Sequence, residues 1–288
     1  MASIEINGSH LAYDEAGAGS TVIFIHAGVA DRRMWDHQFT ALSATHHVIR
    51  YDWRGYGESG EPHGEVAHHE DVLAQMDALG IEQAALVGSS YGGAYAVDTA
   101  LAAPDRITAL TLICAGLSGH VWPQGMLELA RQRVHNAVPA DRLERYQAGT
   151  AAHVDPADVQ AMAEAQVDFM VVGPDRDVRD FPARTREKAI EMCRGVFLRT
   201  WSRSVPLAQR WIDPPAITRL AEISAPTLVV NGLADVSYIQ AVSDLLADGI
   251  TGSTRVDLPD TGHLPPLERP AEVTRLLIEH LERPLRLP

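Results

Sequence analysis

The sequence predicts an α/β protein: an eight-stranded, mostly parallel sheet flanked by helices, with a helical cap inserted between strands six and seven. Three observations carry that expectation. Short apolar runs alternate with helical patterns over most of the chain, as they do when helices form the crossovers of a parallel sheet. From residue 22 onward the strand-like runs are apolar enough to be covered on both faces. Between Cys114 and Thr227 the strand rhythm lapses for more than 100 residues, far beyond an ordinary connection of about 4 to 6, and an inserted helical unit accounts for that length.

Residues 4–7 and 11–14, joined through Gly8, read as an antiparallel hairpin. Strands are then expected at 22–25, 48–52, 84–87, 109–114, 227–230 and 254–258. Helical spacing marks 34–44, 66–79, 92–102, 239–247 and 271–281, with Gly80 closing the second of these and Pro104 the third. The intervening segment is rich in Ala, Arg, Glu and Asp at helical spacing and is punctuated by prolines from Pro139 to the Pro214-Pro215 pair. The expected division is a core domain of 1–116 and 223–288 and a cap of 117–222. No internal repeat interrupts this plan.

Composition bounds the partners. A chain of 288 residues, 46% hydrophobic, is long enough for one large core. Its formal net charge of -14 opposes a polyphosphate, so nucleic acid is not an expected partner. No apolar run reaches the length of a membrane helix, and Met1-Ala2-Ser3-Ile4-Glu5-Ile6-Asn7 lacks the basic and apolar regions of a signal peptide; a cytoplasmic protein without a membrane partner is the expectation. Cys114 and Cys193 fall in a strand and a helix and read as free thiols. The histidine pairs His46-His47 and His68-His69 have no metal-ligand spacing around them, so no metal is expected.

The chemistry concentrates at Gly88-Ser89-Ser90-Tyr91-Gly92, which follows one expected strand directly and opens a helix of small residues. This is G-x-S-x-G in the strand, turn and helix context that gives it meaning. The turn is too tight for neighbouring side chains, so Gly88 and Gly92 give room while Ser90 projects its hydroxyl and Ser89 is a bystander. The helix start aims the Tyr91 amide at a developing oxyanion.

On these residues the chain resembles the α/β-hydrolase superfamily over nearly its whole length apart from the insertion. The resemblance implies an acid after a later strand and a histidine after the last one. The run Pro226-Thr227-Leu228-Val229-Val230-Asn231-Gly232-Leu233-Ala234-Asp235 looks like the acid strand, and Leu258-Pro259-Asp260-Thr261-Gly262-His263 like the histidine loop. Ser90, Asp235 and His263 are therefore the expected catalytic triad. Asp260 reads as a surface turn residue, His280 as a solvated face residue, and Cys114-Ala115-Gly116-Leu117-Ser118 offers no rival carboxylate.

His26-Ala27-Gly28-Val29 resembles the family's His-Gly oxyanion loop, with Ala27 where glycine is usual. Gly28 is favoured as the second oxyanion amide beside Tyr91, with Ala27 the alternative, and His26 reads as structural. In Asp52-Trp53-Arg54-Gly55-Tyr56-Gly57-Glu58-Ser59, Asp52 and Arg54 are expected to anchor one another and nearby backbone while the glycines permit the turn. Trp122, Phe169, Met170, Met192, Phe197, Trp201 and Trp211 are pocket candidates, most of them expected to be lid core.

The resemblance implies hydrolysis of an ester, lactone or related acyl bond of a small molecule through an acyl-enzyme, with no metal or organic cofactor. Dehalogenases and epoxide hydrolases of this fold carry an aspartate where Ser90 stands, and the HGxGPG run of the carbon-carbon hydrolases is absent. The rival expectations are a ligand receptor that keeps the fold and triad and turns over poorly, or a carbon-carbon bond hydrolase.

Overall fold

A computed structural model describes residues 2–282. Eight strands form one sheet: β1 (Ala2–Ile6), β2 (Ser9–Ala16), β3 (Thr21–Ile25), β4 (His47–Tyr51), β5 (Ala84–Ser89), β6 (Ile107–Ile113), β7 (Thr227–Gly232) and β8 (Thr254–Leu258). Their spatial order is β1-β2-β4-β3-β5-β6-β7-β8. Only the β1/β2 and β2/β4 pairings are antiparallel. The order reverses direction around β3, which lies between β4 and β5, and open parallel sheets bind ligands at the carboxyl ends of strands beside such a switch.

Strand parity explains the two layers. In β3, Val22 and Phe24 enter the apolar cluster on one face while Ile23 and Ile25 enter the cluster on the other. The crossover helices α1 (Asp36–Leu42), α2 (His68–Ala78) and α3 (Tyr91–Ala102) cover these faces, as do α8 (Ser237–Gly249) and α9 (Pro270–Leu281), which follow β7 and β8. Residues 34–44 do not form one helix: Asp31 caps a 3₁₀ turn, Arg32–Trp35, before α1 begins.

Between β6 and β7 lie four helices: α4 (Gln124–Arg133), α5 (Ala140–Gln147), α6 (Pro156–Gln166) and α7 (Ala183–Trp201). A π-helical turn, Val167–Val172, continues α6. The apolar side chains of this segment, among them Met162, Phe169, Met192, Cys193 and Trp201, join the same cluster as one face of the sheet. Among the described residues, no helix is long and apolar enough to cross a membrane.

Four further expectations need correction. β8 is not covered on both faces: it is an edge strand whose residues alternate in exposure, and Arg255 on it pairs with Asp244 and Asp257. Arg54 does not pair with Asp52. It forks onto Asp71 at 2.7 and 2.8 Å and reaches the Asn7 carbonyl at 3.1 Å, while Asp52 holds the Arg32 guanidinium and accepts from the Arg32 and Glu58 amides, both at 2.8 Å. His280 is buried, its Nε2 3.0 Å from the Leu110 carbonyl, so the last helix turns it toward the sheet. Cys114 lies one residue past β6, buried, with a φ of 43°.

Candidate active site

The turn after β5 is built by close backbone approach. A Cβ on Gly88 would sit 2.3 Å from the Gly92 carbonyl oxygen, one on Gly92 2.3 Å from that of His26, and one on Gly93 2.4 Å from the Ala115 Cβ. Ser90, wedged between them, takes φ 55° and ψ -126°, a conformation that costs free energy for a residue with a side chain and persists where the surroundings enforce it. Its hydroxyl faces the cavity, and Ser89 is fully buried.

Three strand ends bring the expected triad together. The Ser90 hydroxyl lies 2.9 Å from Nε2 of His263, and Nδ1 of the same ring lies 2.6 Å from Oδ2 of Asp235. Asp235 follows β7, and its other oxygen accepts the Val236 amide at 2.7 Å. Both partners are buried, Asp235 to 3% and His263 to 1% exposure. With a carboxylate facing Nδ1, the ring proton sits there and Nε2 is left to accept from Ser90. Asp260 takes no part: it occupies an exposed turn at φ 48°, and its backbone carbonyl accepts from Arg176 at 2.6 Å.

The loop after β3 separates Ala27 from Gly28. The Ala27 amide donates to the Met34 sulfur at 3.2 Å, while its carbonyl accepts from the Ala30 amide at 3.0 Å and lies 2.8 Å from Nδ1 of His26. The two contacts at the carbonyl fix the peptide plane that Ala27 shares with Gly28, whose amide points to the opposite side of a trans peptide. Gly28 lines the cavity, and a Cβ there would sit 3.0 Å from the Tyr91 ring. Burial holds the His26 pKa below its ordinary value; its Nε2 accepts from the Trp53 amide at 3.2 Å and its ring stacks on that indole at 4.1 Å. With both nitrogens engaged, His26 is a brace for the loop. Tyr91 opens α3, where the first amides have no acceptor within the helix.

Ser90 and His263 face a cavity of about 280 Å³ walled by apolar side chains from the loop after β3 and the inserted helices, Trp122, Met126, Leu127, Phe169 and Met170 prominent among them. Among the described residues, no Asp, Glu, Lys or Arg lines it. Of the seven aromatic and methionine candidates, Trp122, Phe169 and Met170 reach this cavity. Met192 is buried in the core, and Trp211 packs beside Tyr95 at 5.3 Å. Phe197 and Trp201 line a second cavity of about 430 Å³, which shares Tyr56 with the first. Sequence reasoning missed Met126, Leu127, Ala130, Val134, Gln166 and Ile239 as lining residues. The i, i+4 and i, i+3 spacing of Met126, Ala130 and Leu127 along α4 carried a signal for the first group.

Cys114, Asp235 and His263 offer possible metal-ligand atoms within 4.8 Å of one another. Burial and the neighbouring Asp235 carboxylate hold the Cys114 thiol well above its ordinary pKa, so it stays protonated and is a poor ligand. His263 already bonds at both ring nitrogens. Of the histidine pairs, His47 bridges Thr21 and Glu15 at 3.0 and 2.6 Å, and His68 is buried between the rings of Trp53 and Tyr95.

Comparison with known proteins agrees with this architecture. Residues 22–276 match the model of the alpha/beta hydrolase family. Epoxide hydrolase A of Mycobacterium tuberculosis is 28% identical over 322 aligned positions, covering 96% of both chains. A thermophilic esterase from Thermogutta terrifontis superposes with a TM-score of 0.74 at 26% identity, over 98% of this chain and 99% of that one. Est816, an N-acyl homoserine lactone degrading enzyme, superposes with a TM-score of 0.69 at 25% identity, over 96% and 99%. By its sequence from residue 22 to 276 and its sheet, this chain belongs to the alpha/beta hydrolase family.

Proposed function

We propose that the protein is a serine hydrolase that cleaves an ester, lactone or related acyl bond of a small, neutral molecule through an acyl-enzyme. The carrying observation is the hydrogen-bonded series Asp235, His263, Ser90 ending at an apolar cavity. A serine hydroxyl is a weak nucleophile near neutral pH, so His263 takes its proton as Ser90 attacks the acyl carbonyl, and Asp235 holds the imidazole tautomer and stabilises the imidazolium. The amides of Gly28 and Tyr91 receive the oxyanion, and the N-terminus of α3 adds its partial positive charge. His263 then returns the proton to the leaving alcohol, activates water, and the ester to Ser90 is hydrolysed.

The lining supports the substrate class. An acyl chain buried here meets hydrocarbon and aromatic walls, whereas a carboxylate on the substrate would be desolvated with no cation to pair it. Gln166 is the carboxamide on this wall; its Nε2 donates to the Met170 thioether at 2.6 Å, a weak acceptor that a substrate oxygen can replace. The likeness to an epoxide hydrolase does not extend to the nucleophile, because that chemistry needs a carboxylate where Ser90 stands. In this reading residues 117–222 are the cap that shapes the cavity.

A fluorophosphonate tests the assignment. Labelling is expected at Ser90 and is expected to vanish in His263→Ala, because an ordinary serine without a base does not react. Modification elsewhere, or none on folded protein, contradicts the reading.

A further inference from the structure

We propose that Arg176 and Glu268 are positioning residues that clamp the histidine loop to the π-helical turn of the inserted segment, so that the insertion helps set the general base as well as the cavity wall. The inference rests on the reading of Ser90 and His263 as catalytic. His263 stands on a loop, and a base on a loop transfers protons efficiently only if its backbone is held within a fraction of an ångström. Asp235 fixes the ring; the backbone is fixed from the other side.

The π-helical turn ends at Gly173, with φ 106°, and the last carbonyls of a helix have no amide of their own to accept from. The histidine loop and one arginine take them. The His263 amide donates to the Met170 carbonyl at 3.1 Å, and Arg176 donates to those of Val171 and Val172, a favourable place for a cation. The same guanidinium reaches the Asp260 carbonyl at 2.6 Å and forks onto Glu268 at 2.6 and 3.1 Å. Glu268, with a side chain 5% exposed, accepts in turn from the Gly262 amide at 2.8 Å. Thus the residues on both sides of Thr261, and His263 itself, are tied to the turn.

The approach is close as well as bonded. A Cβ on Gly262 would sit 2.0 Å from the Val171 carbonyl oxygen, and one on Gly173 2.2 Å from that of Ala234, the neighbour of Asp235. The turn therefore presses on the base loop and on the acid loop. Neither Arg176 nor Glu268 lines the cavity, so an effect on catalysis passes either through His263 or through Phe169 and Met170 on the turn, and only the first leaves KM unchanged.

Three variants separate positioning from folding, each read as kcat, KM and the rate of Ser90 labelling per folded molecule. Arg176→Met is expected to lower the melting temperature, because Glu268 is left buried without its partner. It should lower kcat and the labelling rate by about 10- to 100-fold with KM within about twofold, the signature of a displaced base. Arg176→Lys keeps the charge and loses the fork, and should lose less kcat with the fold intact. The double variant Arg176→Met/Glu268→Leu removes both charges and should recover stability while kcat stays low. A double variant that recovers kcat along with its melting temperature shows a structural pair only and overturns the clamp, as does a wild-type labelling rate in folded Arg176→Met. Wild-type protein that is never labelled at Ser90 overturns the triad and the clamp together.

Discussion

The turn that carries Ser90 and the inserted segment above it are held by different forces. At the turn the constraint is backbone against backbone: side chains at Gly88 and Gly92 would meet carbonyl oxygens at 2.3 Å. The long inserted helix α7 buries one face in the apolar cluster and is tied to the core on its outer side by ion pairs, Arg33 to Glu191, Lys188 to Asp36 and Arg199 to Glu61, with Arg199 also donating to the carbonyls of Tyr56, Gly57 and Ser59. Exposed pairs of this kind contribute about 0 to 1 kcal/mol each and weaken with salt. One region has a single arrangement; the other, which the proposed function makes a specificity element, can be redrawn residue by residue.

The largest effect tests the rigid region. Ser90→Ala removes only a hydroxyl from a turn whose glycines remain, so turnover should fall by about 10⁶-fold or to background with an unchanged melting temperature. Ser89→Ala, at a side chain turned into the core, should cost little activity. A Ser89 variant as inactive as the Ser90 variant would mean that the nucleophile is misassigned.

Asp235→Asn should slow turnover by about 10⁴-fold in folded protein, because an amide presents a donor to Nδ1 and favours the wrong tautomer. Asp260→Asn is the control, since that residue contributes its backbone carbonyl. A greater loss at Asp260 would reassign the acid.

In the adaptable region, Phe169→Ala and Gln166→Leu should change the ranking of substrates more than the chemical step, by about 10-fold in relative kcat/KM. Phe169→Ala should favour bulkier acyl groups, and Gln166→Leu should erase any preference for an acyl group with a second carbonyl. Kinetics on a series of neutral esters checks both, and a uniform loss across the series would make these residues lid core alone.

The smallest effect lies where the two regions join. Asp98 on α3 accepts from Ser118 at 2.5 Å and from the Ile212 amide at 3.3 Å, one partner near each end of the insertion, and burial pushes its pKa up to about 6. A carboxyl raised in the folded state binds its proton more tightly there than in the unfolded chain. Its charge therefore lowers stability above about pH 6, and the loss is relieved as pH falls toward the ordinary carboxylate range near 4. The melting temperature of Asp98→Asn relative to wild type should therefore decline between pH 8 and pH 4.5. A difference independent of pH would show that Asp98 titrates as an exposed carboxylate does.

The same contrast explains what was legible in the sequence. Gly88, Ser90 and Gly92 are dictated by local sterics and lie within one short motif, and Asp235 and His263 sit at fixed offsets from apolar strands, so the three side chains of the hydrogen-bonded series could be named before the fold was seen. Ion-pair partners are set by three-dimensional neighbours, which is why Arg54 was matched to Asp52 instead of Asp71. The edge position of β8 and the inward turn of His280 depend on strand order, which apolar runs do not encode. Nothing in the apolar pattern marks the π-helical turn, so its contact with the histidine loop, and the lining residue Gln166 beside it, came only from the structure.

The most direct test of the central claim is to quench the protein in acid during turnover of a chromogenic acetate ester and weigh it both intact and after digestion to peptides. The account predicts an acetyl adduct on the peptide containing Ser90 while chromophore release continues past one equivalent. Release that stops at one equivalent, or continues with no adduct on Ser90 in quenched samples across the pre-steady-state phase, would contradict it.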